Sequence, residues 1–254
     1  MDGSAGGGRA VARLRVVTFN VRELLDDTTT VRDLLRTADA DVVCLQEVPT
    51  FGFAGHRLGA LAADTGLWAS AWGPAGAGTA VLTAARVDVR AGAVRALPTA
   101  RRRGWKPVRR RGTAEVVVRV PLAAGWSTDV LVRSVHLGLD PGERLDHAAQ
   151  LLPGTPVPGP CGPWFDAPTV LAGDLNEEPG GTVHQRLSTV LVDAADAVGS
   201  PFPTFPARSP RRRLDAVLVD RHLSVTAVGT PAAANAAGAS DHLAVVADLL
   251  VPAR

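Results

Sequence analysis

Apolar positions along this chain fall mostly into short runs of strand length, with a smaller number of stretches at helical spacing between them. Residues 14–19 (LRVVTF) form a β-branched run that predicts a strand. In the next stretch Val31, Leu34, Leu35 and Ala38 recur at i, i+3, i+4 and i+7, the spacing of one buried helical face. Thr28, Thr29 and Thr30 supply the cap, and Asp39 and Asp41 the stop. Further strands are predicted over residues 42–48, 79–83, 115–120, 130–137, 169–172, 214–219, 223–228 and 243–250. Helices are predicted over 56–64 and 182–191, and from Asp140 (N-cap) and Pro141 (N1) through Leu152, with Leu145, Ala148, Ala149 and Leu152 on one side. Many strands with few helices between them, some strand pairs following directly, predict an α+β layered fold.

Length and composition narrow the classes. The 254 residues are 46% apolar with a formal charge of +2, enough to bury a sizeable core. Residues 1–12 (MDGSAGGGRAVA) read as a disordered segment ahead of one domain over 13–254, with the Pro/Gly-rich residues 153–163 as a surface loop. Two cysteines, Cys44 and Cys161, make neither a disulfide scaffold nor a four-ligand zinc site, which fits a reduced, cytoplasmic setting. No run approaches a secretory signal or a membrane span. Because the chain holds one lysine against 26 arginines, arginine carries less information than usual, whereas its three asparagines and six histidines are telling where they cluster.

They do cluster. Asn20, Glu47, His136, Asp174 with Asn176, and Asp241 with His242 are expected at or just after the carboxyl ends of five strands, where a layered fold gathers site residues, and Asp215 enters from the start of another. Singly, each has an ordinary explanation: a turn asparagine, a hydrogen-bonded core histidine, an Asx-turn. Glu47 is the hardest to explain so, since a carboxylate between Leu45 and Val48 is costly to bury without a cation. Recurrence at six positions favours a site. Hydrolysis of a phosphate ester needs a cation on the phosphoryl oxygens, an activated water and donors for the remaining oxygens. Hard oxygen ligands suit Mg²⁺, with Mn²⁺ as a substitute. Glu47 is the first-choice ligand, Asn20 assists through its amide oxygen, and Asp241 completes the shell or orients a metal-bound water.

The ordered series TFN, LQEV, SVHLGL, LAGDLNEEP, RRLDAVLV and SDHLAVVADL resembles the endonuclease/exonuclease/phosphatase superfamily from about residue 14 to 250. Gly78-Thr79-Ala80-Val81-Leu82 and Thr204-Phe205-Pro206 are smaller echoes. The resemblance implies a four-layer αββα sandwich of two packed, mainly antiparallel sheets, and Mg²⁺-dependent phosphoester hydrolysis. By the same resemblance, Asp174 is the general base or water-orienting group, and Asn176 donates to the water or the phosphate. His242 faces the phosphate with Asp215 behind it, and His136 contacts the phosphate or protonates the leaving group. Departures are Arg22, where some family nucleases carry an acid, Ala216 in place of a common aromatic, and the absence of tyrosine.

The substrate is less determined. Residues 101–112 (RRRGWKPVRRRG) carry seven cationic side chains and no acidic one, which reads equally as a solvated loop or as a phosphate-gripping arm with Trp105 free to stack. Arg111, Arg144 and Arg213 are candidate substrate contacts, salt bridges being the alternative for the first two. The leading expectation is a monomeric phosphodiesterase of nuclease type acting on DNA or RNA. A small phosphorylated metabolite, a lipid headgroup, or a catalytically silent nucleic-acid-binding module are the alternatives.

Overall fold

The computed structural model describes residues 11–99, 109–152, 160–162, 166–232 and 236–253. Twelve strands form two six-stranded sheets. The first is built from β1 (Val11–Asn20), β2 (Val42–Gln46), β3 (Leu67–Trp72), β4 (Ala80–Ala84), β11 (Ser224–Gly229) and β12 (Val245–Pro252), in the order β11-β12-β1-β2-β4-β3. The second holds β5 (Asp88–Ala96), β6 (Gly112–Pro121), β7 (Ser127–His136), β8 (Thr169–Asp174), β9 (Leu191–Asp193) and β10 (Asp215–Asp220), in the order β5-β6-β7-β8-β10-β9. Each sheet has one parallel pair at its centre, β1 with β2 and β7 with β8, and its other pairings are antiparallel.

The pleat sorts side chains to the two faces. Leu14, Val16, Val42, Cys44 and Val81 of the first sheet interdigitate with Val116, Val118, Val132, Val170 and Val217 of the second. On the outer side of the first sheet, Val17, Phe19, Val43 and Leu45 receive Val31, Leu34 and Leu35 of α1 (Thr28–Ala38) and Leu58 and Leu61 of α2 (Ala54–Thr65). Outside the second, Val135, Leu171 and Leu218 pack against Ala148 and Leu151 of α3 (Pro141–Leu151) and Val183 and Leu187 of α4 (Thr182–Ser188). The result is the expected αββα sandwich, and burial on both faces explains why its central strands read as unbroken apolar runs.

Local departures have local causes. Val11 and Ala12, read as disordered, are the first residues of β1, paired with Pro252 and Val251. The cap of α1 is Asp27, whose carboxylate accepts from the backbone N–H of Thr29 and Thr30 at 2.9 and 3.3 Å, not the threonines. In α3 the buried face is Glu143, Arg144, His147, Ala148 and Leu151, while Leu145 is 38% exposed. Polar partners override the apolar spacing there: Arg144 donates to the Gly138 and Leu139 carbonyls, and His147 Nε2 bonds the Pro98 carbonyl at 2.7 Å. The helix expected over 182–191 stops at Ser188, and β9 and α5 (Ala194–Ala197) follow. Strand β12 starts at Val245 instead of 243. Strands β3 and β5 lacked a signal because they are half-exposed sheet edges; in β5, Gly92 stands where a Cβ would lie 2.4 Å from the Ser70 carbonyl oxygen.

Candidate active site

Both parallel pairs end at one place. Asn20 is the last residue of β1, Glu47 follows β2, and His136 and Asp174 close β7 and β8. His136, Asp174 and Asp215 are register partners in adjacent strands, forming one rung across β7, β8 and β10. The first sheet answers from across the interface, where Asn20 Nδ2 donates to Asp174 Oδ2 at 3.2 Å. Just below, Gln46 Nε2 donates to Ser134 Oγ at 3.1 Å, pinning one sheet to the other under the site. Asp241 and His242 reach it differently from expectation. They precede β12, and because β12 runs antiparallel to β1 its amino end meets β1's carboxyl end.

Asp174 is the centre of the group. Its Oδ1 accepts the Asn176 backbone N–H at 2.8 Å, and its Oδ2 lies 3.4 Å from His136 Nε2 and 3.8 Å from His242 Nε2. Burial, reinforced by the charge of Asp215, pushes its carboxyl up to about 7 against the opposing pull of His242, Asn176 and Asn20. Asn176 sits at φ 50, a left-handed conformation that asparagine tolerates, and its Nδ2 donates to the Leu137 carbonyl at 2.9 Å. One of its two amide hydrogens is therefore committed to holding the loop.

The two histidines are held in opposite states. His242 Nδ1 donates to Asp215 Oδ2 at 2.8 Å, and the same oxygen accepts the Thr204 hydroxyl at 2.6 Å. Burial opposes a charge on this imidazole, but the Asp215 bond and the nearby carboxylates outweigh it and raise its pKa to about 9. The Phe205 ring lies against it, centroids 4.8 Å apart. His136 Nδ1 stands 2.8 Å from Arg111 Nη1. A guanidinium has no acceptor, so Nδ1 must accept and the proton sits on Nε2, the nitrogen facing Asp174. Burial first, then the Arg111 charge, holds its pKa well below 6.5. At neutral pH one ring is an imidazolium and the other a neutral donor.

Toward solvent, Glu47 occupies φ 50, a conformation that costs a non-glycine residue about 1–3 kcal/mol. Its backbone carbonyl accepts the Glu23 N–H at 2.6 Å. The carboxylate lies 3.8 Å from Arg109 and 4.0 Å from His136, and receives no hydrogen bond among the described residues. Asn20 Oδ1 accepts the Arg22 N–H at 3.1 Å, with a second lone pair remaining. Asp241 Oδ1 accepts from Ser240 at 3.3 Å, and its Oδ2 stands 3.7 Å from Arg22 Nε. The ligand atoms of Asp174, Asp215 and His242 all lie within 4.8 Å of one another and could hold a metal ion; Glu47 and Asp241 are outside that group. Glu47, Asn20 and Asp241 offer the hard oxygen atoms that suit a divalent cation, whereas His242, an imidazolium bonded to Asp215, has no lone pair to give.

Of the three candidate arginines only Arg111 joins the site. Arg144 is buried and bridges the Leu139 carbonyl at 2.8 Å and Glu177 Oε2 at 3.2 Å, while Glu177 Oε1 caps α4 through Val183 N at 2.6 Å. It therefore braces the loops bearing His136 and Asn176. Arg213 is turned away: it grips Asp193 through two bonds, 3.1 and 3.0 Å, and Asp196 at 3.0 Å, filling with its own charge a second acidic cluster completed by His184. Of the basic segment, residues 101–108, including Trp105, lie outside the described residues, and Arg109 and Arg110 are exposed. Sequence reasoning misses Thr204 and Glu177; the TFP and NEEP motifs that contain them are the available signals.

A family model, the endonuclease/exonuclease/phosphatase family, matches residues 17–242. No curated protein matches the chain. Among solved structures, an endonuclease/exonuclease/phosphatase from Bacteroides vulgatus superposes with a TM-score of 0.74 at 19% identity, over 94% of this chain and 98% of that one. A mannosyl-6-phosphatase of Bacteroides thetaiotaomicron gives 0.68 at 17% identity, covering 93% and 99%. ANGEL2, a 2′,3′-cyclic phosphatase, gives 0.64 at 14% identity, covering 96% and 99%. With a family match over most of its length and the sandwich to accompany it, the chain belongs to the endonuclease/exonuclease/phosphatase family of phosphoester hydrolases.

Proposed function

We propose that this protein hydrolyses a phosphate ester with Asp174 as general base and Mg²⁺ as cofactor. The observation that carries the reading is Asp174 Oδ2, flanked by a neutral donor and an imidazolium, on a carboxyl raised to about 7, close to the ideal for a base working at neutral pH. Glu47 and Asn20 would hold the ion, with Asp241 completing its shell. When bound, the cation supplies Lewis-acid neutralisation of the phosphoryl oxygens.

The chain's own groups do the rest. Asp174 orients the attacking water and accepts its proton as the new P–O bond forms and the ester P–O bond breaks, the leaving oxygen taking its proton from solvent. His242, charged and fixed by Asp215, offsets the negative charge gathering on the phosphoryl oxygens. His136 serves as an Nε2–H donor and not as an acid, because surrendering that proton while Arg111 occupies Nδ1 would leave an imidazolate. Asn176 and Arg144 keep the two catalytic loops in place. A nucleic-acid strand is a second substrate reading, favoured by exposed Arg109 beside Glu47 and the equally exposed Arg110 that follows it in the chain.

The test is turnover of p-nitrophenyl phosphate, bis(p-nitrophenyl) phosphate and single- and double-stranded DNA, with Mg²⁺ or with EDTA. We expect Mg²⁺-dependent release from at least one ester and a loss of about 10²–10⁴ in kcat for Asp174→Asn, with an unchanged circular dichroism spectrum. Full turnover in Asp174→Asn overturns the assignment.

A further inference from the structure

Beside the catalytic group a cavity of about 290 Å³ opens between the turn after β1, the segment following Phe205 and the β11–β12 connection. That is the lower end of the range for small-ligand sites, roughly 300–1,000 Å³. Arg22, Asp26, Ala207, Arg208, Ser240 and Asp241 contribute to its wall. The wall is continuous with the catalytic residues: Asp241 adjoins His242, and Ser240 Oγ donates to the Asn20 carbonyl at 2.7 Å.

The charges lining this cavity are unequally engaged. Both oxygens of Asp26 face Arg22 Nη1, at 3.1 and 3.2 Å. Asp241 Oδ2 faces Arg22 Nε at 3.7 Å and is the carboxylate proposed above to complete the cation's shell. Asp26 is thus answered within the wall, and Asp241 is directed toward the catalytic group. Arg208 is the exception: it is exposed, and among the described residues it makes no hydrogen bond or ion pair. Its guanidinium presents a planar fork of five N–H donors, matched to bidentate capture of a phosphoryl group.

We propose that this cavity is a second phosphoryl subsite, taking a phosphate that the substrate carries in addition to the ester being cleaved, with Arg208 as its specificity-determining residue. The proposal rests on the phosphoester-hydrolase reading above. The neighbouring phosphate of a nucleotide strand and the second phosphate of a small bisphosphate present the same chemistry, and separate arms of the test distinguish them.

The measured quantity is the ratio of kcat/KM for a two-phosphate substrate to that for its one-phosphate partner. The pairs are fructose 1,6-bisphosphate against fructose 6-phosphate, and the dinucleotide pTpT against TpT. Wild type should favour the two-phosphate member of at least one pair, and the pair concerned identifies the source. Arg208→Ala should lower that ratio at least tenfold, and Arg208→Lys should restore part of it. In parallel, calorimetry with inorganic pyrophosphate in EDTA should show binding at least tenfold weaker in Arg208→Ala than in wild type. A ratio and a pyrophosphate affinity both indifferent to Arg208, or no pyrophosphate binding by wild type, overturn the subsite. Absence of turnover on every substrate, with pyrophosphate binding still dependent on Arg208, overturns the hydrolase reading and leaves the subsite standing.

Discussion

His136 and His242 are the same residue type within reach of one carboxylate; burial disfavours charge on both, and only His242 has a carboxylate bond that outweighs it. Arg111 donates to one ring and Asp215 accepts from the other. The consequence can be read as stability against pH in metal-free protein. A histidine whose folded pKa exceeds its unfolded value of about 6.5 stabilises the fold fully below that value and loses this contribution as pH rises through the folded pKa. For His242 that window runs from about 6.5 up to about 9. His136, shifted the other way, makes stability rise with pH below that window. The urea midpoint in EDTA should therefore fall between pH 7 and 9, and Asp215→Asn should flatten the fall; an equally steep fall in the variant would show that the Asp215 contact does not raise His242. Asn20, Glu47, Asp174 and Asp215 were readable from the chain because a polar residue ending an apolar strand is costly unless it serves something. The protonation states were not, because each depends on a partner from another strand or loop.

Elements carry the site through close approach of backbone. Gly173, between two buried residues of β8, leaves room for the Val135 carbonyl: a Cβ there would stand 1.9 Å from that oxygen. Gly173→Ala should cost about 3 kcal/mol in denaturant unfolding and reduce kcat as well, since β7 and β8 carry His136 and Asp174. Arg213 is engaged by Asp193 of β9 and Asp196 of α5. Arg213→Ala should cost about 1.5–3 kcal/mol, since Asp193 loses two charge-assisted bonds but keeps His184 and the Ala195 N–H, while kcat/KM of the folded fraction stays within twofold; a tenfold rise in KM would return Arg213 to the substrate. Its ion pairs were not legible in the sequence, since a place two residues before Asp215 says nothing about which face of the chain an arginine leaves by. The same holds for α3, where the spacing pointed to Leu145 but carbonyl partners drew Arg144 inward. Central strands were easily recognised; the edges β3 and β5, half wet and interrupted by small residues, were not.

For the whole molecule, the two sheets share one buried interface, and the proposed cation would sit where both end. Binding only to the folded state, Mg²⁺ at a hundred times its Kd should add about 2.7 kcal/mol, raising Tm by roughly 5–10 °C for a chain of this length. Glu47→Ala should abolish that rise; an undiminished rise would remove Glu47 from the ligand set. The fold class was legible because short apolar runs and their number are properties of the chain itself. The meeting of β12's amino end with β1's carboxyl end was not, being a matter of strand direction.

The rung of His136, Asp174 and Asp215 has an evolutionary corollary. On β8 the face that presents Asp174 is the face that packs Val170 and Ala172, while Leu171 and Leu175 serve the opposite layer. Loss or gain of a single residue inside β8 would exchange the two faces, turning a leucine into the chemistry and the carboxylate into the helix layer. The connections between strands tolerate insertion without that penalty. Descendants of this sequence are thus free to vary the length of the loops that meet the substrate, while the strands remain frame-locked.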